Sequence, residues 1–551
     1  MRYTLLLVLF LFASIDSFSQ TIPVGDNFTE EIARIHQDTS ISNSHSSFSI
    51  RPLDVSQDSS LKGLVASKNL FPKLKFFSAP ASVQLLPISW LNEYNVNRPY
   101  GYNNGSLYPN KGLQSRIAAG IFIKLGILNI QFKPEVVYAE NKSFATFTDV
   151  QANTGQHSLQ QAYLTIVNGI DAPERFGNGS ITKLYPGQSK ITLNVKGIEA
   201  GISTENMWWG PGVRNSIMMS NSAPGFLHWT VNSARPLKTG IGSFEWQIIG
   251  GNLKQSGYLP FDTTKVTFAK GLLDSKPKVT RYISALTLNW QPKWIEGLFL
   301  GFTEYDYLDK DSTYHQRNWL KKLVPVITGS SNKANAVTSS SSGDGQDFAF
   351  SLNARQLLPK YKAEIYFEWA RNDRWASLND FLQEPEHSSA YTVGGRRLFD
   401  LGKDQFLQVK IELTHLQRPP TYLLRDEPIW YVHDNSPQDG YTNDGRYVGA
   451  GIGPGSNSLM WDISVLKGQN SFGITMERLV HNNDLYYSAF TGTGDFYQHW
   501  VDLSGTFYGN VKFKNYVISA EVTPVYSLNY EYQRGESFNL HSRINLTYYF
   551  N

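Results

Sequence analysis

Trp208 and Trp209 stand side by side ahead of Gly210-Pro211-Gly212, and Asn206, Arg214, Asn215, Ser220 and Asn221 lie within a few residues of them. The proline and the glycines interrupt both helix and strand, so this stretch is a loop. It is too apolar to sit in open water and must pack against something. Indole faces beside amide and guanidinium groups suit a sugar ring, whose C–H face stacks while its hydroxyls take hydrogen bonds. On that reading Trp208 and Trp209 stack on the sugar, Asn215 and Asn221 bond its hydroxyls, and Arg214 holds the carboxylate of an acidic sugar. The same residue types also serve as wedges, so a packed turn that braces or plugs the fold is the competing reading.

A second charged group comprises Asp373, Arg374, Asp380, Glu384, Glu386 and His387. Paired carboxylates could carry out acid/base work on a glycosidic bond. Their spacing in sequence does not fix their separation in space, and no further catalytic motif accompanies them. A solvated loop that meets ligand through Glu384 and His387 is therefore preferred to a hydrolase. The run Gly449 to Asn457 is glycine-rich but lacks the Lys-Ser/Thr ending of a phosphate loop, so it reads as a tight loop between strands. The eleven His are scattered and there is no Cys. Neither a metal site nor a cofactor is expected.

These groups must be positioned by a chain of 551 residues with a formal net charge of +3, a balance that argues against nucleic acid as a partner. Met1-Arg2, the apolar run Leu5 to Ala13, and the small residues Ser17 and Ser19 read as a secretory signal peptide over residues 1–19. Beyond it no run of about 18 apolar residues could form a transmembrane helix. Aromatic residues make up 14% of the chain, with 30 Tyr and 32 Phe, which suits the interfacial girdles of an outer-membrane barrel.

Residues 20–80 read as a small periplasmic or plug segment, with a short helix from Asn27 to Gln37 capped by Asn27 or Thr29. The remainder, 81–551, reads as the barrel. From about residue 113 to the C-terminus, apolar and polar residues alternate along it with period two. In Lys362 to Ala370, for example, Ala363, Ile365, Phe367 and Trp369 share one face and Glu364, Tyr366 and Glu368 the other. The segments 115–125, 127–139, 190–203, 241–253, 279–291, 458–467 and 511–523 read similarly, with interruptions. The sequence does not say which face is inside, but a barrel in lipid places its charged face in the lumen. The fold class is all-β, a transmembrane outer-membrane β-barrel of about 16–18 antiparallel strands. Its loops are long, among them the Ser/Gly/Asn tract from Ser330 to Gln346 and residues 372–398 and 417–457.

The chain also resembles the Wzi-type capsule assembly proteins. The pieces that carry the resemblance include Ser46 to Pro52, Asn110 to Gln114, Pro173-Glu174-Arg175-Phe176-Gly177, Tyr185 to Ser189, Trp208 to Pro224, Glu384 to His387 and Gly440 to Asn443. It implies a barrel of about eighteen strands with a small helical periplasmic part. It further implies a lectin-like, non-enzymatic role in attaching capsule or other exopolysaccharide at the outer membrane. The expected partners are surface polysaccharide and outer-membrane lipid. A porin-like channel is the alternative, and an outer-membrane glycan hydrolase a weaker one.

Overall fold

The computed structural model describes residues 20–39, 46–54, 70, 75–76, 79–152, 154–265, 272–274, 276, 278, 280–309, 346–372, 378–433, 439–492 and 496–550. The leader expected over 1–19, most of the Ser/Gly/Asn tract, Asp373 and Arg374 lie outside them. The alternating segments zip into one antiparallel wall. Its last strand, Glu536–Tyr548, pairs with its first, Ala79–Asn95, with His541 opposite Asn95 and Tyr548 opposite Ile88. The result is a closed barrel of 18 strands. Closure leaves no open edge in the wall, which is what lets a sheet stand in lipid.

Burial decides the question of faces. In the strand Ala363–Arg371, Glu364 and Glu368 are 0% exposed, whereas Ile365 and Phe367 are 56% and 44% exposed. The charged face is inside and the apolar face outside, inverted relative to a soluble sheet. Trp90, Trp294, Phe513 and Tyr516 stand on the outer surface with Ile, Leu and Val between them. No described helix is long and apolar enough to cross a membrane.

Two segments that read as single strands are hairpins. Residues 190–203 break at Lys196 and Gly197, whose positive φ values of 55° and 90° fit a two-residue turn between Lys190–Val195 and Ile198–Ser203. Residues 511–523 cross the turn between Val501–Phe513 and Tyr516–Leu528. Such short turns lie at one end of the barrel, where both chain ends also enter the wall. The intervening loops at the other end are long, as over residues 140–180, 204–227 and 416–456.

The lumen is filled. At the short-turn end sits the helix Asn27–Thr39. Its N-terminal cap is Asp26, whose carboxylate accepts from the Thr29 amide at 3.3 Å and the Thr29 hydroxyl at 2.9 Å. The cap is thus neither Asn27 nor Thr29. The helix docks on the wall through ion pairs, two of them buried, Arg34 with Glu364 (3.1 Å) and Asp38 with Arg396 (2.5 Å), and two partly exposed, Glu31 with Arg396 (3.3 Å) and Lys410 (3.5 Å). Toward the long-loop end, loops fold inward and build an apolar core inside the barrel. Tyr305 stacks on Tyr441 at 4.1 Å, and Ile217, Met218, Trp430 and Tyr431 close around them. Gly449 belongs to this inward packing rather than to a tight strand-to-strand loop. A Cβ there would lie 2.5 Å from the Tyr431 ring and 2.6 Å from the Ile217 carbonyl oxygen.

Candidate binding site

The loop 204–227 starts and ends at the long-loop rim but descends into the lumen. Trp208 and Trp209 pair antiparallel with Arg51 and Ile50 of the N-terminal segment, a two-residue ribbon that ties loop to plug. The Arg51 guanidinium lies 4.5 Å from the Trp208 ring centroid. It also donates to the Gly212 carbonyl (2.8 Å) and to Glu30 (2.8 Å). The Trp209 indole N–H donates to Gln247 at 3.1 Å. Trp208 is 4% exposed and Trp209 1%, so neither offers a free ring face to a sugar.

The polar residues of the loop are likewise used internally. The amides of Val213, Arg214 and Asn215 converge on the Glu412 carboxylate at 2.7, 3.1 and 2.7 Å. Three consecutive N–H groups on one buried carboxylate form an anion nest, and this one holds the loop to the wall. Arg214 pairs with Glu477 at 2.6 Å and lies 4.2 Å from the Tyr102 ring centroid. Asn221 donates to the Asn103 carbonyl at 2.9 Å, and Asn215 is buried.

Glu384 and His387 stand elsewhere, at the long-loop rim. Arg425 bridges Glu384 (2.8 Å) and Asp380 (2.7 Å). His387 is buried with its Nδ1 3.1 Å from Glu427. Together these contacts clasp the segment around 380–388 to the segment around 425–427. The structure therefore does not bring Glu384 and His387 together with the tryptophan pair.

A cleft of about 330 Å³ opens at the long-loop end between residues 146–149, 174–178 and 257–265. Sequence reasoning noted Glu174 and Arg175 only as part of the Pro173 to Gly177 piece, and did not single out Tyr258. Glu174 accepts from the Thr148 amide (2.9 Å), the Thr148 hydroxyl (2.6 Å) and Tyr163 (2.8 Å). Burial nonetheless pushes its carboxyl above the ordinary value. Asp149 pairs with Lys265 at 2.8 Å and caps its own short helix with Thr146. Arg175 lies 5.7 Å from the Phe144 ring centroid and donates one Nη to the Asn141 carbonyl at 3.3 Å, while its buried Nε has no protein partner. Tyr258 packs edge-on against Phe176 at 5.6 Å yet remains 42% exposed. An open phenol ring, a guanidinium and hydroxyls around one cleft are the groups that hold a pyranose, acidic or neutral. Among the described residues no group of three His, Asp or Glu is arranged to hold a metal ion.

A closed barrel with an apolar outer belt, a charged and filled lumen, short turns at one end and long loops at the other is an outer-membrane β-barrel. The profile of the family described as capsule assembly protein Wzi matches residues 123–499, and the chain belongs to that family. Among solved structures it is similar to the Escherichia coli Wzi, described as an outer-membrane protein involved in group 1 capsule assembly and as a carbohydrate-binding β-barrel. That match has a TM-score of 0.58 and 10% identity, over 96% of this chain and 99% of that one. Fold similarity is lower to Acinetobacter baumannii OccAB2 (TM-score 0.39, 10% identity, 85% of this chain and 97% of that one). It is also lower to Pseudomonas aeruginosa OccK7 (TM-score 0.38, 10% identity, 84% and 98%). A search of curated proteins finds no match.

Proposed function

We propose that this barrel is a non-enzymatic holder of surface polysaccharide, which it binds at its long-loop, extracellular end to help attach or organise a capsule or other exopolysaccharide. The observation that carries the reading is the cleft around Arg175 and Tyr258, open at that end above a lumen packed with side chains. Tyr258 stacks on a sugar face, and the guanidinium of Arg175, which lines the cleft, takes a carboxylate or hydroxyl. Trp208, Trp209, Arg214, Asn215 and Asn221 serve the site indirectly, by fixing loop to plug and wall. The carbohydrate binding named for the Escherichia coli barrel supports the ligand class. Glu384 shares Arg425 with Asp380, an arrangement that suits a clasp better than a general acid. Binding of detergent-purified protein to its host's surface polysaccharide, with Arg175→Ala/Tyr258→Ala beside it, tests the reading. Loss of binding by a folded variant supports the cleft, and unchanged binding removes it.

One observation favours a second reading, a solute channel. A polar cavity of about 250 Å³ runs between the plug helix and the wall, lined by Glu30, Glu31, Arg51, Lys410, Asp462 and Arg543. Conductance in planar bilayers distinguishes the two, because a holder with a packed lumen does not pass ions.

A further inference from the structure

The eight short turns of the barrel share a chemistry that the polysaccharide reading does not use. Six of them carry Lys at the tip or next to it, namely Lys196, Lys293, Lys360, Lys403, Lys467 and Lys514, and the other two, at Gly126-Ile127 and Gly240-Ile241, have Lys124 and Lys238 two residues before the turn. Those six are all exposed. The outward-facing acids of the same turns are Glu296, Asp400 and Asp404, and Lys362 pairs with Asp400 at 3.1 Å. The rim is therefore strongly cationic although the chain as a whole is nearly neutral. Among the described residues of the long-loop end, Arg425 is held by Asp380 and Glu384, Lys265 by Asp149, and Arg446 by Asp444.

The cations of the short-turn rim also stand at a particular depth. Lys293 lies over Trp294 (5.6 Å to the ring centroid), Lys362 over Phe406 (4.7 Å), Arg397 over Phe399 (4.7 Å) and Lys514 over Phe513 (5.4 Å). Trp294, Phe399 and Phe513 are exposed on the outer surface, where aromatic rings mark the boundary between hydrocarbon and water. A long aliphatic stem laid on such a ring brings its charged head to headgroup level. The tips add exposed apolar residues, Ile241, Ile295, Tyr361 and Leu401, so the surface is both apolar and cationic. That combination fits a lipid headgroup with its chains attached better than it fits a soluble anion.

We propose that the short-turn rim is a docking surface for anionic phospholipids of the periplasmic leaflet, whose phosphates meet the lysines while their chains lie against the aromatic belt. Such a ring of bound lipid sets the depth and tilt of the barrel, and so holds the long-loop end at a fixed height above the opposite leaflet. Attraction of this kind is screened by salt.

The test uses the full mature chain and a five-site variant, Lys196→Gln, Lys293→Gln, Lys403→Gln, Lys467→Gln and Lys514→Gln. All five are exposed turn residues outside the plug and its ion pairs. Heat-modifiable migration first establishes that the variant is folded. Native mass spectrometry then counts phosphatidylglycerol and phosphatidylcholine retained from mixed micelles. The expected result is several-fold preference for phosphatidylglycerol in the wild type, reduced by high salt and lost in the variant. Equal retention of the two lipids by the wild type overturns the proposal, as does a variant that keeps the preference. Sedimentation of the wild type alone with purified peptidoglycan, without lipid preference, also overturns it and assigns the rim to the wall polymer.

Discussion

Arg51 and Trp208 sit opposite each other in a two-residue antiparallel ribbon, with the guanidinium 4.5 Å from the indole centroid. One residue belongs to the plug and the other to a loop that starts at the far end of the barrel. Burial works against the Arg51 charge, and although Glu30 opposes it, the pKa of the group falls to about 10. The guanidinium still stays charged at neutral pH and keeps both contacts. Plug and loop therefore form a single packed body inside the wall.

Cutting either half of that pair should loosen the same body. Trp208→Ala removes a buried indole and should cost about 3–5 kcal/mol, read as a lower midpoint of heat-modified migration. Arg51→Ala should lower the midpoint too, since it strands Glu30. Because the two residues touch, the double variant should lose clearly less than the sum of the single losses. Simple additivity would mean that loop and plug are held independently.

The plug should respond to acid through Glu31. Burial raises its carboxyl, but Lys410 and Arg396 outweigh that and bring it down to about 2. A carboxylate whose pKa is lower in the folded than in the unfolded state stabilises the fold fully above its ordinary value near 4.5, and this contribution disappears as pH falls toward 2. The melting difference between wild type and Glu31→Gln should be largest at neutral pH and should shrink as pH drops through that window. A difference that grows in acid would show that the ion pairs with Arg396 and Lys410 are not formed.

Deleting residues 20–54 should not turn the barrel into a pore. The plug fills only the short-turn half, whereas Tyr305, Tyr441, Trp430 and Ile217 pack the half toward the long loops. Planar bilayers containing the deleted form should show conductance near that of the full chain. Large steady currents on deletion would mean that the plug alone seals the lumen.

Glu384→Gln should leave polysaccharide binding unchanged, because Arg425 keeps Asp380 as partner. The same reasoning predicts that wild-type protein incubated with surface polysaccharide releases no new reducing ends. Reducing ends that appear with wild type and vanish with Glu384→Gln would restore the hydrolase reading.

Much of the wall was legible because period-two alternation is local: the spacing of Ile365 and Phe367 against Glu364 and Glu368 needs no partner to be seen. Which face is inside was not legible, since only closure of the sheet decides it. The turns at Lys196-Gly197 and Lys514-Asn515 escaped notice because neither contains proline and each shows only as a one-step change of phase in the alternation, from Ile191, Leu193 and Val195 to Ile198, Ala200 and Ile202 in the first. The importance of the Trp208 loop was readable, but its direction was not. The same residues suit an exposed platform or a brace, and long-range contacts with Arg51, Gln247 and Glu412 choose the brace. The cleft is harder still, because its lining comes from three separate stretches of two loops spread over more than a hundred residues, and no short stretch carries its pattern.

The most direct test of the account is a binding titration with the host's surface polysaccharide on barrels shown to be folded. Three proteins are compared: wild type, Arg175→Ala/Tyr258→Ala, and Trp208→Ala assayed well below its lowered midpoint. The account predicts that wild type and Trp208→Ala bind alike while the cleft variant binds at least about tenfold more weakly, a loss of about 1.4 kcal/mol. Full binding by the cleft variant together with its loss in a folded Trp208→Ala barrel would contradict it, and would return the sugar site to the tryptophan pair.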